Sequence, residues 1–369
     1  MFLPRMRFTP EPIRWNGPFP PVQSTHDANQ FAHLPTDILT GAGQSIGSAL
    51  AYAIYVFYPC ALVLLDNSEQ NLCGILSDLS PAGSRQHIPV PGSVADERCL
   101  SDTCERFRPE IVYHAVAFKH VPLIEMNPLA VVQKNVFGTS TLARIAHGGQ
   151  LLMISTDRAA DPQSIMGVSK RLTELLLLGM PGGQTRTGSI RLSNVPGSEA
   201  AVVPLFLEQI ARRGRLTVTG PDVERNLLTM DETVYRVLSA AATCSGDGAI
   251  AIPVLGDPVK IAELARYLIA QTGAGDVAIS FTGLLLGDKF EEAFVSFCES
   301  NGLSPIDGTH WIDSSRLPDA ELATGLAELS AAIDTLDLLQ LLSTLIRLVP
   351  EYEPRAFPLQ QTPISQLER

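Results

Sequence analysis

The chain has 369 residues, 27 of them lysine or arginine and 39 aspartate or glutamate, for a formal charge of −12. That length buries one large core or two modest ones. The acidic balance argues against nucleic acid or an anionic membrane surface as the main partner, but leaves room for a phosphorylated ligand at helix N-termini and arginines.

The first 35 residues hold seven prolines and little periodicity, which reads as an extended arm lying on a neighbour or on the domain surface. No apolar signal core follows Arg5 and Arg7. The longest apolar run, 49–65, is interrupted by Pro59 and is short for a bilayer, so no transmembrane segment is expected. Cys60, Cys73, Cys99, Cys104, Cys244 and Cys298 form no Cys-x-x-Cys pair and no zinc-like spacing with histidine. Free thiols in a reducing cytoplasm, and no metal site, are the expectation.

From Asp37 onward, strands expected at 38–40, 61–66, 88–90, 111–114, 151–155 and 188–192 alternate with helices at 46–58, 95–107, 127–146 and 166–179. This rhythm predicts an α/β fold, a doubly wound parallel sheet covered on both faces. After Asn194 it changes: helix 202–213, strand 216–219, helix 231–243, strand 249–255, helix 258–271 and strand 277–281. A smaller C-terminal lobe that binds substrate is predicted, followed by an amphipathic helix near 319–349. The expected division is an arm (1–35), a dinucleotide-binding domain (36–195, with later strands from about 225–256), a substrate lobe (196–300), and a C-terminal helix and tail (301–369).

Thr40 and the turn Gly41-Ala42-Gly43-Gln44-Ser45-Ile46-Gly47 lie between the first strand and its helix, and Asp66 ends the next strand. Glycines let the backbone approach a pyrophosphate, the helix N-terminus supplies amides, and the acid accepts from a ribose hydroxyl. Asp66 favours NAD over NADP because a carboxylate repels a 2′-phosphate, and no arginine stands in 67–70. The plainer reading of Asp66 is a loop cap.

Further on, Ile154-Ser155-Thr156-Asp157-Arg158 delivers hydroxyls and an acid to a strand end, and Met166-Gly167-Val168-Ser169-Lys170 opens a helix. The layout resembles that of extended short-chain dehydrogenases, with Met166 at the position of the usual tyrosine. A thioether neither gives nor takes a proton.

Four further stretches sharpen the likeness: 113–123 (Tyr-His-Ala-Val-Ala-Phe-Lys-His-Val-Pro-Leu), 135–139 (Asn-Val-Phe-Gly-Thr), 191–195 (Arg-Leu-Ser-Asn-Val) and 203–206 (Val-Pro-Leu-Phe). With them the chain resembles, from about 38 to 292, the polysaccharide-biosynthesis branch of nucleotide-sugar dehydratases, of the UDP-N-acetylglucosamine 4,6-dehydratase type. The resemblance implies NAD, a nucleotide-sugar substrate and a homo-oligomer. It implies oxidation at C4, loss of water across C5–C6, and return of hydride to C6. It assigns Thr156 to a sugar oxygen, Asp157 to the departing C6 hydroxyl and Lys170 to the nicotinamide ribose, and makes Met166 a branch trait. It adds Ser93, Val94, Ala115, Ala117, Lys119 and Asn135 to the cofactor site, and Lys119, His120, Asn194, Val203 and Arg225 to the substrate site.

The plainer alternatives are a helix cap for Asp157, a solvated Lys170, a surface Arg225, a buried strand-end His114, and loop roles for Lys119 and His120. Arg158 stands where relatives carry a lysine base, and arginine is a poor base. Leu285 replaces a phosphate-facing arginine, Ser193 a glycine, Gln44 the middle glycine of the fingerprint and Ser93 an aspartate. Three functions therefore stand: a nucleotide-sugar 4,6-dehydratase, an epimerase or oxidoreductase that has lost the elimination, and a non-catalytic homologue.

Overall fold

A computed structural model describes residues 36–57, 61–79, 87–118, 121–146, 148–180, 185–198, 201–212, 214–244, 248–284, 287–302 and 308–354. All belong to one compact unit, Pro35–Arg369. The arm expected over 1–34 and the tail beyond 354 lie outside the described residues.

In chain order the first half runs β1 (Thr36–Thr40), α1 (Ser45–Phe57), β2 (Ala61–Asp66), α2 (Glu69–Leu79), β3 (His87–Pro91), α3 (Glu97–Phe107) and β4 (Ile111–His114). Then come α4 (Val121–Glu125), α5 (Pro128–Val132), α6 (Gly138–Ile145), β5 (Gln150–Thr156), α7 (Ile165–Gly179) and β6 (Arg186–Leu192). These six strands pair in parallel in the order β6-β5-β4-β1-β2-β3. Their apolar runs, such as Leu151 to Ile154, are buried because helices cover both faces.

The second half runs α8 (Val202–Ala211), β7 (Leu216–Val218), β8 (Glu224–Arg225), α9 (Met230–Thr243), β9 (Ala249–Pro253), β10 (Val259–Lys260) and α10 (Ile261–Thr272). It ends with β11 (Ile279–Phe281), β12 (Ser300–Asn301), β13 (Thr309–Asp313), α11 (Asp319–Asp334) and α12 (Leu338–Leu348). β9 adds to β6 in parallel, whereas β13 and β12 extend that edge antiparallel. The sheet is therefore mixed at one edge, where the sequence predicted a parallel sheet. β8 pairs with β10 and β7 with β11 in the small lobe. Its own core packs Phe206 and Ile210 against Leu216, Val218, Ile261 and Ala265.

Three expected helices differ in detail. The span 127–146 contains a π-helical turn, Gln133–Phe137, between α5 and α6. The helix near 319–349 breaks into α11 and α12, because Leu336 takes φ 57° and Asp337 caps α12 by accepting from the Gln340 amide. α10 starts at Ile261, three residues later than its apolar pattern, since Val259 and Lys260 pair with β8 instead.

A buried ionic cluster ties distant segments to this frame. Arg191 on β6 pairs with Glu174 on α7 and with Glu299, and Arg171 pairs with Glu174, Glu299 and Glu351. The Arg191 and Arg171 guanidinium groups are held above their usual pKa, because Glu174 and Glu299 outweigh the opposing effect of burial. Each carboxylate reaches a cation in a dry interior, so the cluster fixes where the C-terminal segment meets the sheet.

Candidate active site

Strand order reverses between β1 and β4, and a parallel sheet opens a crevice there beyond its carboxyl ends. A cleft of about 340 Å³ fills this place. Its walls include Gln44, Ser45, Ile46 and Gly47, Ala115 and Ala117 beyond β4, Thr156 and Arg158 beyond β5, Met166 and Lys170 on α7, and Asn194 beyond β6. A smaller pocket, sharing Gln44 with the cleft, is lined by Gly41, Asp66, Ser93, Val94 and Lys134 among others.

The turn before α1 is shaped by its glycines. Gly41 sits at φ +73°, and a Cβ on Gly47 would lie 2.0 Å from the Gly41 carbonyl oxygen. The Gly43 amide donates to one oxygen of buried Asp66 (3.0 Å) and the Ser68 amide to the other (2.9 Å). Asp66 thus also does the work of a loop cap, while its remaining lone pairs border the pocket. Turn, helix N-terminus and oriented acid fit a dinucleotide. Gly47→Ala is expected to displace the turn and weaken dinucleotide binding at least about tenfold, about 1.4 kcal/mol, in an NADH fluorescence titration. Unchanged affinity would show that the turn yields freely.

At the end of β5 the Thr156 hydroxyl donates to Asp157 Oδ1 (2.9 Å), while Asp157 Oδ2 is buried with no hydrogen-bond partner. Burial pushes the Asp157 carboxyl up to about 6, and Glu292 adds to the rise against Arg158, Thr156 and Arg225. The short helical turn at 157–159 is capped by Thr156, so the capping role considered for Asp157 falls to its neighbour. Lys170 is buried and donates to the Ile154 carbonyl (2.7 Å). Burial brings its ammonium down to about 8, with Glu174 opposing. It is not a solvated helix lysine.

Arg158 borders the cleft with its guanidinium tied behind it. Nη1 donates to Asp288 (3.2 Å) and the Gly287 carbonyl (3.4 Å) and lies 3.6 Å from Glu292. Burial works against its charge, but Glu292, Asp288 and Asp157 outweigh that and raise its pKa. Together with Arg225 and Lys289 these groups form a buried cluster of three formal positive and three formal negative charges.

The remaining candidate residues divide among several positions. Arg225 is turned from the cleft: its guanidinium donates to the carbonyls of Glu224, Lys289 and Phe290, so it braces the 289–292 segment. Asn135 accepts from the Phe118 amide and donates to Ser169, holding the loop after β4 against α7. Ser93 accepts from the Ala95 amide while also lining the small pocket. Val202 lines the cleft in place of Val203. His114 is fully buried between Thr40 and Thr139, and burial takes its ring down to about 3, leaving it neutral and structural. Lys119, His120 and Leu285 lie outside the described residues.

Sequence reasoning passed over Asp288 and Glu292. Their signal was the charged run 288–292, but its meeting with Arg158 spans 130 positions and nothing local announces it. Among the described residues, no group of three or more His, Cys, Asp or Glu is placed to hold a metal ion. No described helix is long and apolar enough to cross a membrane.

Residues 38–309 match the family described as polysaccharide biosynthesis protein. The capsular polysaccharide biosynthesis protein CapD of Staphylococcus aureus is 36% identical over 270 residues, covering 71% of this chain and 45% of that protein. The UDP-N-acetylglucosamine 4,6-dehydratase (inverting) of Campylobacter jejuni is 28% identical over 273 residues, covering 72% and 78%. Among solved structures, DesIV (dTDP-glucose 4,6-dehydratase) of Streptomyces venezuelae with NAD and TYD bound superposes with TM-score 0.60. It is 19% identical and covers 70% of this chain and 87% of that one, a likeness of fold. The chain spans about half the length of the first curated relatives it matches.

Proposed function

From the premise that this chain belongs to the polysaccharide biosynthesis protein family, extended short-chain dehydrogenases by fold, we propose that it is an NAD-dependent nucleotide-sugar 4,6-dehydratase, probed first with UDP-N-acetylglucosamine. The observation that carries this reading is the Thr156–Asp157 couple at the end of β5, beside buried Lys170 and with Met166 in the tyrosine's place.

NAD, held along the 41–47 turn and by Asp66, would supply the hydride acceptor for C4 and the donor for C6. The chain's own groups handle the C4 and C6 protons, while the C5 proton passes to solvent in the cleft, which returns one to C5 when hydride reaches C6. Thr156, which lines the cleft, meets the C4 hydroxyl in this reading and passes its proton to Asp157. Asp157 is ionised above about pH 6, close to the pKa that suits a group acting first as base and then as acid. Having taken that proton, it returns it through Thr156 to the departing C6 oxygen. Lys170 places positive charge near the developing C4 oxyanion, and Arg158 adds a fixed cation at the cleft wall. The reading includes the cytoplasmic homo-oligomer expected from the sequence.

Incubation in deuterated water, followed by mass spectrometry, tests the reading: a 4-keto-6-deoxy sugar carrying deuterium at C5 is expected. Absence of that product with every nucleotide sugar tried, from protein holding NAD, overturns it. Asp157→Asn is expected to lower turnover about 10²–10⁴-fold. Because burial raises the Asp157 pKa, the carboxylate takes up a proton as pH falls through about 6 and ceases to be a base. Wild-type turnover should therefore drop below that pH, and residual Asp157→Asn turnover should stay flat across it.

A second reading rests on Arg158. A guanidinium tied to Asp288 and Glu292 does not remove a C5 proton, which favours a reaction without the elimination: an epimerase that returns the hydride to C4, or an oxidoreductase that releases the C4 ketone.

A further inference from the structure

Lys134 belongs to none of the residues assigned by motif or resemblance, yet the fold carries it into the small pocket between Asp66 and Phe118. The π-helical turn Gln133–Phe137 is what brings it there. Such a turn widens the helix by one residue, a device frequent at functional sites. Asn135 and Val136 are buried beneath it, and Lys134 on the same turn reaches the pocket wall. Its ammonium lies 4.3 Å from the centroid of the Phe118 ring, a cation–π contact. Burial lowers the pKa of the amine while the Asp66 carboxylate supports its charge. Phe118 borders the main cleft and Lys134 the small pocket, so the pair stands where the two cavities meet, across from the glycine-rich turn.

A half-buried cation beside an acid that orients ribose hydroxyls, facing a turn built for phosphate, matches the adenosine-phosphate half of a dinucleotide. Resting on the NAD reading above, we propose that Lys134, seated on Phe118, closes over that half of NAD and retains it between turnovers. Retention has a chemical purpose in a reaction that stores hydride and returns it to the same sugar: loss of reduced cofactor in mid-cycle strands the oxidised intermediate.

The test is the rate at which prebound NADH leaves the 369-residue chain, followed by loss of its fluorescence on dilution into excess ADP-ribose. Wild type is compared with Lys134→Met, which keeps the stem and removes the charge, and with Phe118→Leu. Both variants are expected to release NADH at least about tenfold faster, about 1.4 kcal/mol. A parallel series with NADPH separates a second role: if Lys134→Met speeds release of NADPH alone, the lysine answers a 2′-phosphate and the proposal is overturned. Release of NADH at the wild-type rate from Lys134→Met overturns it as well, with the NAD reading intact. Wild-type protein that binds neither dinucleotide overturns both.

Discussion

Arg158→Lys is expected to raise water loss from the nucleotide sugar by about 10²-fold, the lower end of what a positioned base contributes. A guanidinium does not deprotonate on an enzymatic timescale, whereas an amine at the same place does once neutral. The gain should grow with pH. Asp288 and Glu292 stand 3.2 and 3.6 Å from the Arg158 Nη1 and would hold a lysine ammonium in its charged form. Raising the pH strips that proton and exposes the base, so the ratio of variant to wild type should climb from pH 7 to pH 9. The measurement is formation of 4-keto-6-deoxy product with deuterium uptake at C5. Product from the variant but none from wild type favours the redox-only reading of the native chain. A ratio at or below one at every pH, with NAD bound, removes Arg158 as the residue that limits elimination.

Arg191→Ala is expected to cost about 3–5 kcal/mol of stability, the range for breaking a buried ion pair on one side. That is a large share of the ~5–15 kcal/mol typical of a folded protein. Arg191 is fully buried and reaches Glu174 through Nε (3.0 Å) and Nη2 (2.6 Å). Its Nη1 donates to Glu299 (2.7 Å) and to the Phe294 carbonyl (2.6 Å). Deleting the guanidinium leaves two carboxylates in a dry interior with Arg171 as their shared cation. Arg191→Lys keeps one charge without the planar fork, and an intermediate loss is expected. Urea unfolding followed by circular dichroism reads both variants, and soluble yield reads any too weak to purify. Equal stability of all three proteins would show that the cluster contributes nothing to holding 294–299 on β6. The linkage sign follows from Glu299. Burial would raise its pKa, but Arg191 and Arg171 bring it below its ordinary value of 4.5. Its contribution is thus present above pH 4.5 and lost as pH falls below it.

The two experiments test different links of the same chain. β6 carries both Arg191, inside the sheet, and Asn194, beyond its end at the cleft. The ionic cluster sets where that strand and α7 lie against each other, and α7 carries Met166 and Lys170 to the opposite wall. Loosening the cluster is expected to disturb the cleft before it unfolds the chain.

The local features of the site were legible in the residues. The turn at 41–47, Asp66 at a strand end, and the β5–α7 layout each rest on short-range rules of periodicity, glycine conformation and chain order. Those rules place the loops at the carboxyl ends of the strands without reference to distant partners. Arg225 was chosen because its residue type suits a phosphate, and only the fold shows that its guanidinium meets three carbonyl oxygens. The break at Leu336 and the antiparallel strand β13 were hidden for a similar reason: a leucine-rich run is equally apolar in one helix or in two, and an edge strand needs the partner it pairs with.

The sequence by itself determined the family likeness, the parallel βα core, and several of the groups that line the cleft, because local pattern and motif spacing encode them. Tertiary structure alone decided what those groups are able to do. Thr156 donates to an Asp157 carboxyl that the fold seals from water. The Arg158 guanidinium is tied back because a loop 130 positions away brings Asp288 and Glu292 behind it, and Lys134 reaches the small pocket from a helix widened by a π-helical turn. Burial and long-range charge act through distance in space, and that distance exists once the chain has folded.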